Sequence, residues 1–193
     1  MTEAIRLTDT DPRFVDEIKK AGGENILMCY QCGTCTSSCP VREIDERYDP
    51  LKIIRMAVLG MKKEVLSSDI IWLCSRCYAC YEHCPQSVGV TEVLHAITNI
   101  AEKEGKEGNI RIKSLKPRLD GVFNDLIRKY GRLFEIKFFA HHALLSKGVV
   151  GLLSSAPDGF VMFRKGKLRL LPHKIKGMKQ IERIFKIVGA NEK

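Results

Sequence analysis

The chain has 193 residues, of which 45% are apolar and 28% charged, with eight cysteines and a formal net charge of +9. This composition excludes a mostly disordered chain, and the length allows one domain or a small cofactor module with helical extensions rather than two full-sized domains. Met1 to Leu7 runs into Asp9, Asp11 and Pro12 without an apolar run of signal-peptide length, and the best membrane candidate, Gly148 to Phe163, is interrupted by Ser154, Ser155, Pro157 and Asp158, so a cytoplasmic chain without a membrane span is expected.

In chain order, Asp11-Pro12 reads as a cap with proline at the first helical position, and Phe14, Val15 and Ile18 give an apolar side before Gly22-Gly23 stops a short helix. The first cysteine group follows: Cys29, Cys32, Cys35 and Cys39, then Pro40. Asp49-Pro50 repeats the cap signal, and Leu51, Ile54, Val58 and Met61 follow at helical steps. The second group is Cys74, Cys77, Cys80 and Cys84, then Pro85. Thr91 is the expected N-cap of a helix carrying Val93, Ala96, Ile97, Ile100 and Ala101 on one side, ended by Gly105 and Gly108.

Beyond Gly108 there is no cysteine. Leu119, Val122, Phe123, Leu126 and Ile127 predict a helix closed by Gly131, and Leu133 to Leu145 predict another. Gly148 to Leu171 is read as a loop with a short extended piece around Lys167 to Leu171. A last helix runs through Met178, Ile181, Ile184, Phe185 and Val188, a stripe without an obvious core that points to a partner.

Both cysteine groups read C-x2-C-x2-C-x3-C-P. Eight thiols in a reducing compartment, three of them at successive three-residue steps in each loop, suit a tight wrap around a cubane that takes three ligands locally and a fourth from elsewhere. In two-cluster ferredoxins the fourth ligand is the last cysteine of the other motif. Two [4Fe–4S] clusters are therefore expected, the first on Cys29, Cys32, Cys35 and Cys84 and the second on Cys74, Cys77, Cys80 and Cys39. They would form a wire for single electrons. Four-cysteine zinc sites match the ligand count but normally pair two cysteines with a distant second pair, and a disulfide framework has no use for the triplet spacing. The loops differ between their ligands: Gln31, Gly33, Thr34, Ser37 and Ser38 in the first, Arg76, Tyr78, Tyr81, Glu82 and His83 in the second. Hydroxyls and amides near Gly33 can donate to cluster sulfurs and raise a potential, so separable potentials are expected, although the same residues also suit ordinary loops. His83 is read as a surface residue and Trp72 as a cluster shield.

The linker from Pro40 to Leu73 has 34 residues and holds a full helix, which predicts a mostly α, all-helical ferredoxin-like domain. The expected division is an N-terminal helical segment at 1–25, the two-cluster domain at 26–107, and a helical, basic extension at 108–193 for subunit docking. From Arg164 to Lys193 ten Lys or Arg face only Glu182 and Glu192. Eight thiolates around two oxidised cores would reduce the formal charge to about +5. A solvated face and docking to an acidic partner both explain this tail better than nucleic acid, for which no motif is present.

The twin motifs, the linker length and the run Ile70-Ile71-Trp72-Leu73-Cys74-Ser75-Arg76-Cys77-Tyr78-Ala79-Cys80 resemble the C-type iron–sulfur chain of heterodisulfide reductase from methanogens, most clearly from Cys29 to Val93. The resemblance implies a relay between a flavin-containing A-type partner and a cysteine-rich B-type partner that reduces the mixed disulfide of coenzyme M and coenzyme B. It places the chain in a hetero-oligomer of an oxidoreductase, with no catalytic residue of its own. The chain has neither a Cys-Cys pair nor a G-x-G-x-x-G segment, so the disulfide chemistry and the dinucleotide would belong to partners. Iron–sulfur subunits of glycolate, glycerol-3-phosphate or succinate-type dehydrogenases resemble the same region, and an iron–sulfur nucleic-acid-binding protein is a third reading.

Overall fold

The computed structural model describes residues 10–168 and 171–191. Helices and turns account for the regular structure, and no strand occurs among the described residues. The chain divides into two compact units, 1–114 and 115–193.

The first unit is assembled from short pieces. Helix α1 (Phe14–Lys20) starts where Asp11 Oδ1 accepts from the Arg13 N–H at 3.0 Å, and it buries Phe14 and Ile18. A 3-10 turn at Ile26–Met28 leads into the first cysteine loop, followed by α2 (Thr34–Ser37) and α3 (Pro40–Ile44). Helix α4 (Pro50–Val58) has the expected cap, with the Asp49 carboxylate accepting from the Lys52 N–H at 3.1 Å and proline in its first turn. Helix α5 (Lys62–Leu66) and a 3-10 turn at Ile70–Leu73 lead to the second loop and α6 (Ala79–Glu82).

Helix α7 (Val90–Lys106) is the spine of this unit, and α1, α4, α5 and α6 all pack on it. Its start corrects the expected cap. Gly89, at φ +69, occupies the N-cap, and Thr91 lies inside the first turn with only 3% of its surface exposed. The physical reason is that the chain must turn sharply after Pro85, and glycine takes the left-handed backbone without a Cβ penalty. Phe14, Ile18, Ile26, Tyr48, Ile54, Val65, Leu66, Val93 and Ile97 form one core that also takes in Cys35, Cys39 and Cys80. The cysteine loops are thus part of the hydrophobic interior. Lys62 clips the back of this core, pairing with Glu17 at 2.8 Å and Glu104 at 2.9 Å.

The second unit holds α8 (Lys116–Tyr130), α9 (Glu135–Arg164) and α10 (Met178–Asn191). Gly131, at φ +74, closes α8 as expected, and the Ile175 N–H returns to the Tyr130 carbonyl at 3.1 Å. Helices α9 and α10 both pack on α8. The expected loop from Gly148 is corrected: the chain bends at Gly148 (φ 62, ψ −149) and then stays helical to Arg164, with Pro157 inside. Of the extended piece expected near Lys167, Arg169 and Leu170 lie outside the described residues, and Lys167 and Leu168 carry no strand.

Candidate iron–sulfur centre

The two cysteine loops have the same backbone. In the first, Gln31 (φ 64) and Gly33 (φ 85) are left-handed, and in the second Arg76 (φ 54) and Tyr78 (φ 63) occupy the equivalent places. Each therefore reverses at two alternate positions, which turns cysteines three apart toward one point. Three of these four are not glycine, and holding a non-glycine residue there costs on the order of 1 kcal/mol, so something in the site must compensate. A single turn of helix follows each loop, α2 or α6, carrying the third cysteine, Cys35 or Cys80.

The loops open on two cavities. The first is lined by Cys29, Cys32, Cys35 and Cys84, and the second by Cys39, Cys74, Cys77 and Cys80. Each therefore gathers three cysteines of one motif and the last cysteine of the other. All eight are free thiols. Among the described residues no three His, Cys, Asp or Glu side chains converge on a single-ion position. In both cavities the middle cysteine of the triplet, Cys32 or Cys77, is exposed while the third is buried.

Burial and neighbours set the character of the sulfurs. Burial pushes the Cys35 thiol up to about 11, opposed by a hydrogen bond with Thr36 and reinforced by the charges of Cys29, Cys80 and Cys32. Burial also raises Cys80, opposed by the Thr91 hydroxyl 3.4 Å from its sulfur. Cys35 on α2 and Cys80 on α6 belong to different cavities, and α2 packs against α6, so the two sites are neighbours. Cys32 is lowered, first by the Thr34 hydroxyl at 3.3 Å. The Val88 N–H points at Cys84 Sγ at 3.5 Å. Proton-bearing, buried thiols that crowd one another favour a cation that takes the place of their protons, and an iron–sulfur core supplies that positive charge.

Of the first-loop hydroxyls, those of Thr34 and Tyr30 lie on the Cys32 sulfur, while the Thr36 hydroxyl beside Cys35 donates to Asp49 Oδ1 at 2.6 Å. Ser37 donates to the Thr34 carbonyl at 3.0 Å, and the Ser38 hydroxyl is buried without a hydrogen-bond partner. Trp72 is buried in the core and lines neither cavity, which corrects its expected role as a shield. That place is taken by Tyr48, 1% exposed, whose hydroxyl reaches the Cys74 sulfur. Burial and the neighbouring Cys74 charge raise its pKa far above the ordinary phenol value. Tyr48 lies between the motifs with no spacing signal of its own. Its one trace in the sequence is a tyrosine directly before an Asp-Pro cap. His83 is exposed, with Nδ1 2.8 Å from the Ala79 carbonyl.

Residues 25–88, which contain all eight cysteines, match the family described as the 4Fe-4S dicluster domain. The match and the eight cysteines support two [4Fe–4S] clusters as the cofactors. The chain is also similar to named relatives. The chain is 48% identical over 109 residues to the C2 subunit of the H(2)/formate:CoB-CoM heterodisulfide,ferredoxin reductase of Methanococcus maripaludis. It is 43% identical over 109 residues to the C 2 iron-sulfur subunit of the CoB--CoM heterodisulfide reductase of Methanocaldococcus jannaschii. A third relative is the C-type subunit of the H(2):CoB-CoM heterodisulfide,ferredoxin reductase of Methanothermobacter thermautotrophicus, 42% identical over 101 residues. The chain resembles the C-type iron–sulfur subunits of heterodisulfide reductases. The similarity takes in 52% of this chain in all three cases and 54–58% of each relative, so the chain spans little more than half the length of the curated relatives it matches. No described helix is long and apolar enough to cross a membrane.

Proposed function

We propose that this chain is the electron-relay iron–sulfur subunit of a heterodisulfide reductase complex, with an all-helical ferredoxin-like domain as its working part. The observation that carries the reading is the pair of four-cysteine cavities, each completed by the last cysteine of the other motif. On this reading Cys29, Cys32, Cys35 and Cys84 hold the first cluster and Cys39, Cys74, Cys77 and Cys80 the second. When bound, the clusters supply reversible one-electron chemistry. The residues of the chain hold them close together, keep one face of each buried in the core, and leave Cys32 and Cys77 near the surface where a redox partner can approach.

Exposed apolar or aromatic side chains lie beside each loop, Leu27, Met28 and Tyr30 at the first and Leu73, Tyr78 and Tyr81 at the second, among exposed polar ones such as Gln31, Arg76 and His83. Two such faces suit a relay with one donor and one acceptor, a flavin-containing A-type partner and a cysteine-rich B-type partner that carries out the disulfide reduction. The second unit, with exposed Val149, Val150, Leu152, Leu153 and Phe160 and a basic tail, is read as the docking portion. Co-expression of tagged chain with candidate A-type and B-type partners tests the assembly. Recovery of a ternary complex, in which reduced flavin bleaches the iron–sulfur absorbance and the B-type partner restores it, supports the relay. Stable assembly without electron passage would refute it.

A further inference from the structure

The two cavities differ in their buried walls. Helices α4 and α7 begin beside both cavities, and each contributes from equivalent positions: the residue two before its first turn and the second residue of the helix. From α4 these are Tyr48 and Leu51, and from α7 they are Val88 and Thr91. Tyr48 and Thr91 line the second cavity, whereas Leu51 and Val88 line the first. At each pair of equivalent positions, one cavity has a hydroxyl where the other has hydrocarbon.

Both hydroxyl-bearing residues are almost wholly inside the protein, Tyr48 at 1% and Thr91 at 3% exposure. The Thr91 hydroxyl is 3.4 Å from Cys80 Sγ, and the Tyr48 hydroxyl reaches Cys74 Sγ. A thiolate bound to iron has no proton to give, so in both pairs the O–H must donate and the sulfur accept. We propose that Tyr48 and Thr91 are positioning residues that selectively raise the reduction potential of the cluster held by Cys39, Cys74, Cys77 and Cys80, by hydrogen-bonding two of its four ligand sulfurs. This inference rests on the ligand assignment proposed above.

The reasoning is electrostatic. An electron delivered by a flavin donor adds one negative charge to the cluster and breaks no bond, and that charge is shared with the thiolate sulfurs. An O–H donor to a sulfur therefore binds the reduced form more strongly than the oxidised form. Cys80 is buried, so no water competes for its sulfur and the preference is felt in full there, and at the half-buried Cys74 the donor itself is shut away from solvent. At the first cavity the hydroxyls of Thr34, at 3.3 Å, and Tyr30 meet the exposed Cys32 sulfur, where water can substitute for them, and the Thr36 hydroxyl beside the buried Cys35 gives its proton to Asp49 Oδ1 at 2.6 Å. Their influence is correspondingly smaller.

The test is a redox titration of the full-length, cluster-loaded chain monitored by EPR, comparing wild type with Tyr48→Phe, Thr91→Val and Thr34→Val. Cys77→Ser identifies which midpoint belongs to the second cluster. With iron content unchanged, Tyr48→Phe and Thr91→Val are each expected to move that midpoint to more negative potential, changing the oxidised-to-reduced ratio at a fixed potential severalfold, while the other midpoint stays in place. The Thr34→Val change should leave the second midpoint alone. If Tyr48→Phe loses its clusters, Thr91→Val decides alone. Two midpoints unmoved at full iron content, or both moved together, would overturn the proposal. Wild-type chain that binds no paramagnetic iron–sulfur centre would instead sink the ligand assignment beneath it.

Discussion

The two units of this chain solve the problem of holding helices in place in opposite ways. In the first, most helices have four to nine residues, too short to persist alone, yet they enclose a core in which Phe14, Ile18, Ile26, Ala57, Val93, Ile97 and Ala101 have no exposed surface. In the second, the helices run to 15, 30 and 14 residues, and the buried apolar residues among those described are Leu126, Tyr130 and Ala143. Short elements suffice where side chains converge on a central group from all sides. Long elements do not create a core by themselves. The kinked α9 shows the cost: beyond Gly148 its apolar residues face both sides, and Val149, Val150, Leu153 and Phe160 are each more than three-fifths exposed.

Removing a ligand puts the contrast under the greatest strain. Cys84→Ser should lose about half of the bound iron and produce the EPR spectrum of Cys32→Ser, not that of Cys77→Ser, because Cys84 shares its cavity with Cys32. A spectrum matching Cys77→Ser would mean that each motif closes on its own cluster.

Stripping iron and sulfide completely tests whether the clusters stand in for a larger core. Hydrogen exchange followed by mass spectrometry should show amides of α2, α4 and α6 losing protection while those of α8 and the first half of α9 keep theirs. Equal losses in both units would erase the difference between them.

Single side chains give smaller effects with the same contrast. Phe14→Ala, at a fully buried site, is expected to cost about 3–5 kcal/mol as measured by urea unfolding, whereas Leu152→Ala on exposed α9 should stay within about 0.5 kcal/mol in the isolated chain.

The smallest expected effect concerns the Lys62 clip. Burial lowers the lysine pKa, but ion pairs with Glu17 and Glu104 outweigh it and leave it raised above its ordinary value of 10.5. A group raised on folding stabilises fully below its unfolded pKa and loses that contribution as pH climbs through the folded one. Lys62→Met should therefore cost about 1 kcal/mol at pH 8, and the gap to wild type should begin to close only above pH 10.5. A gap that closes already between pH 8 and 9 would show that the pair does not act through charge.

Legibility in the sequence follows the strength of local chemistry. Asp49-Pro50 announces α4 because a cap and a proline are requirements of the helix start itself, and Gly131 announces the end of α8 for the same reason. Thr91 misleads, since a threonine before an apolar run satisfies the same pattern whether it caps the helix or lies inside it. Which of the two occurs depends on the left-handed Gly89 before it. The helix from Gly148 to Arg164 is hidden because serine, proline and glycine disrupt its periodicity, while its backbone bonding continues regardless. Adjacency to Cys74 makes Trp72 look like a shield, but chain neighbours in a turn point in different directions, and the indole goes to the core.

The eight thiols, their division into two identical spacings and the helical segments between them can all be read along the chain, because they depend on distances of a few residues. So can the crossed set of four cysteines, which the paired motif implies, but that Tyr48 and Thr91 line one cavity while Leu51 and Val88 line the other is visible only in the folded molecule. Those pairings join residues roughly 30 to 50 positions apart, and they are set by how α2, α4, α6 and α7 pack together, which no local spacing encodes.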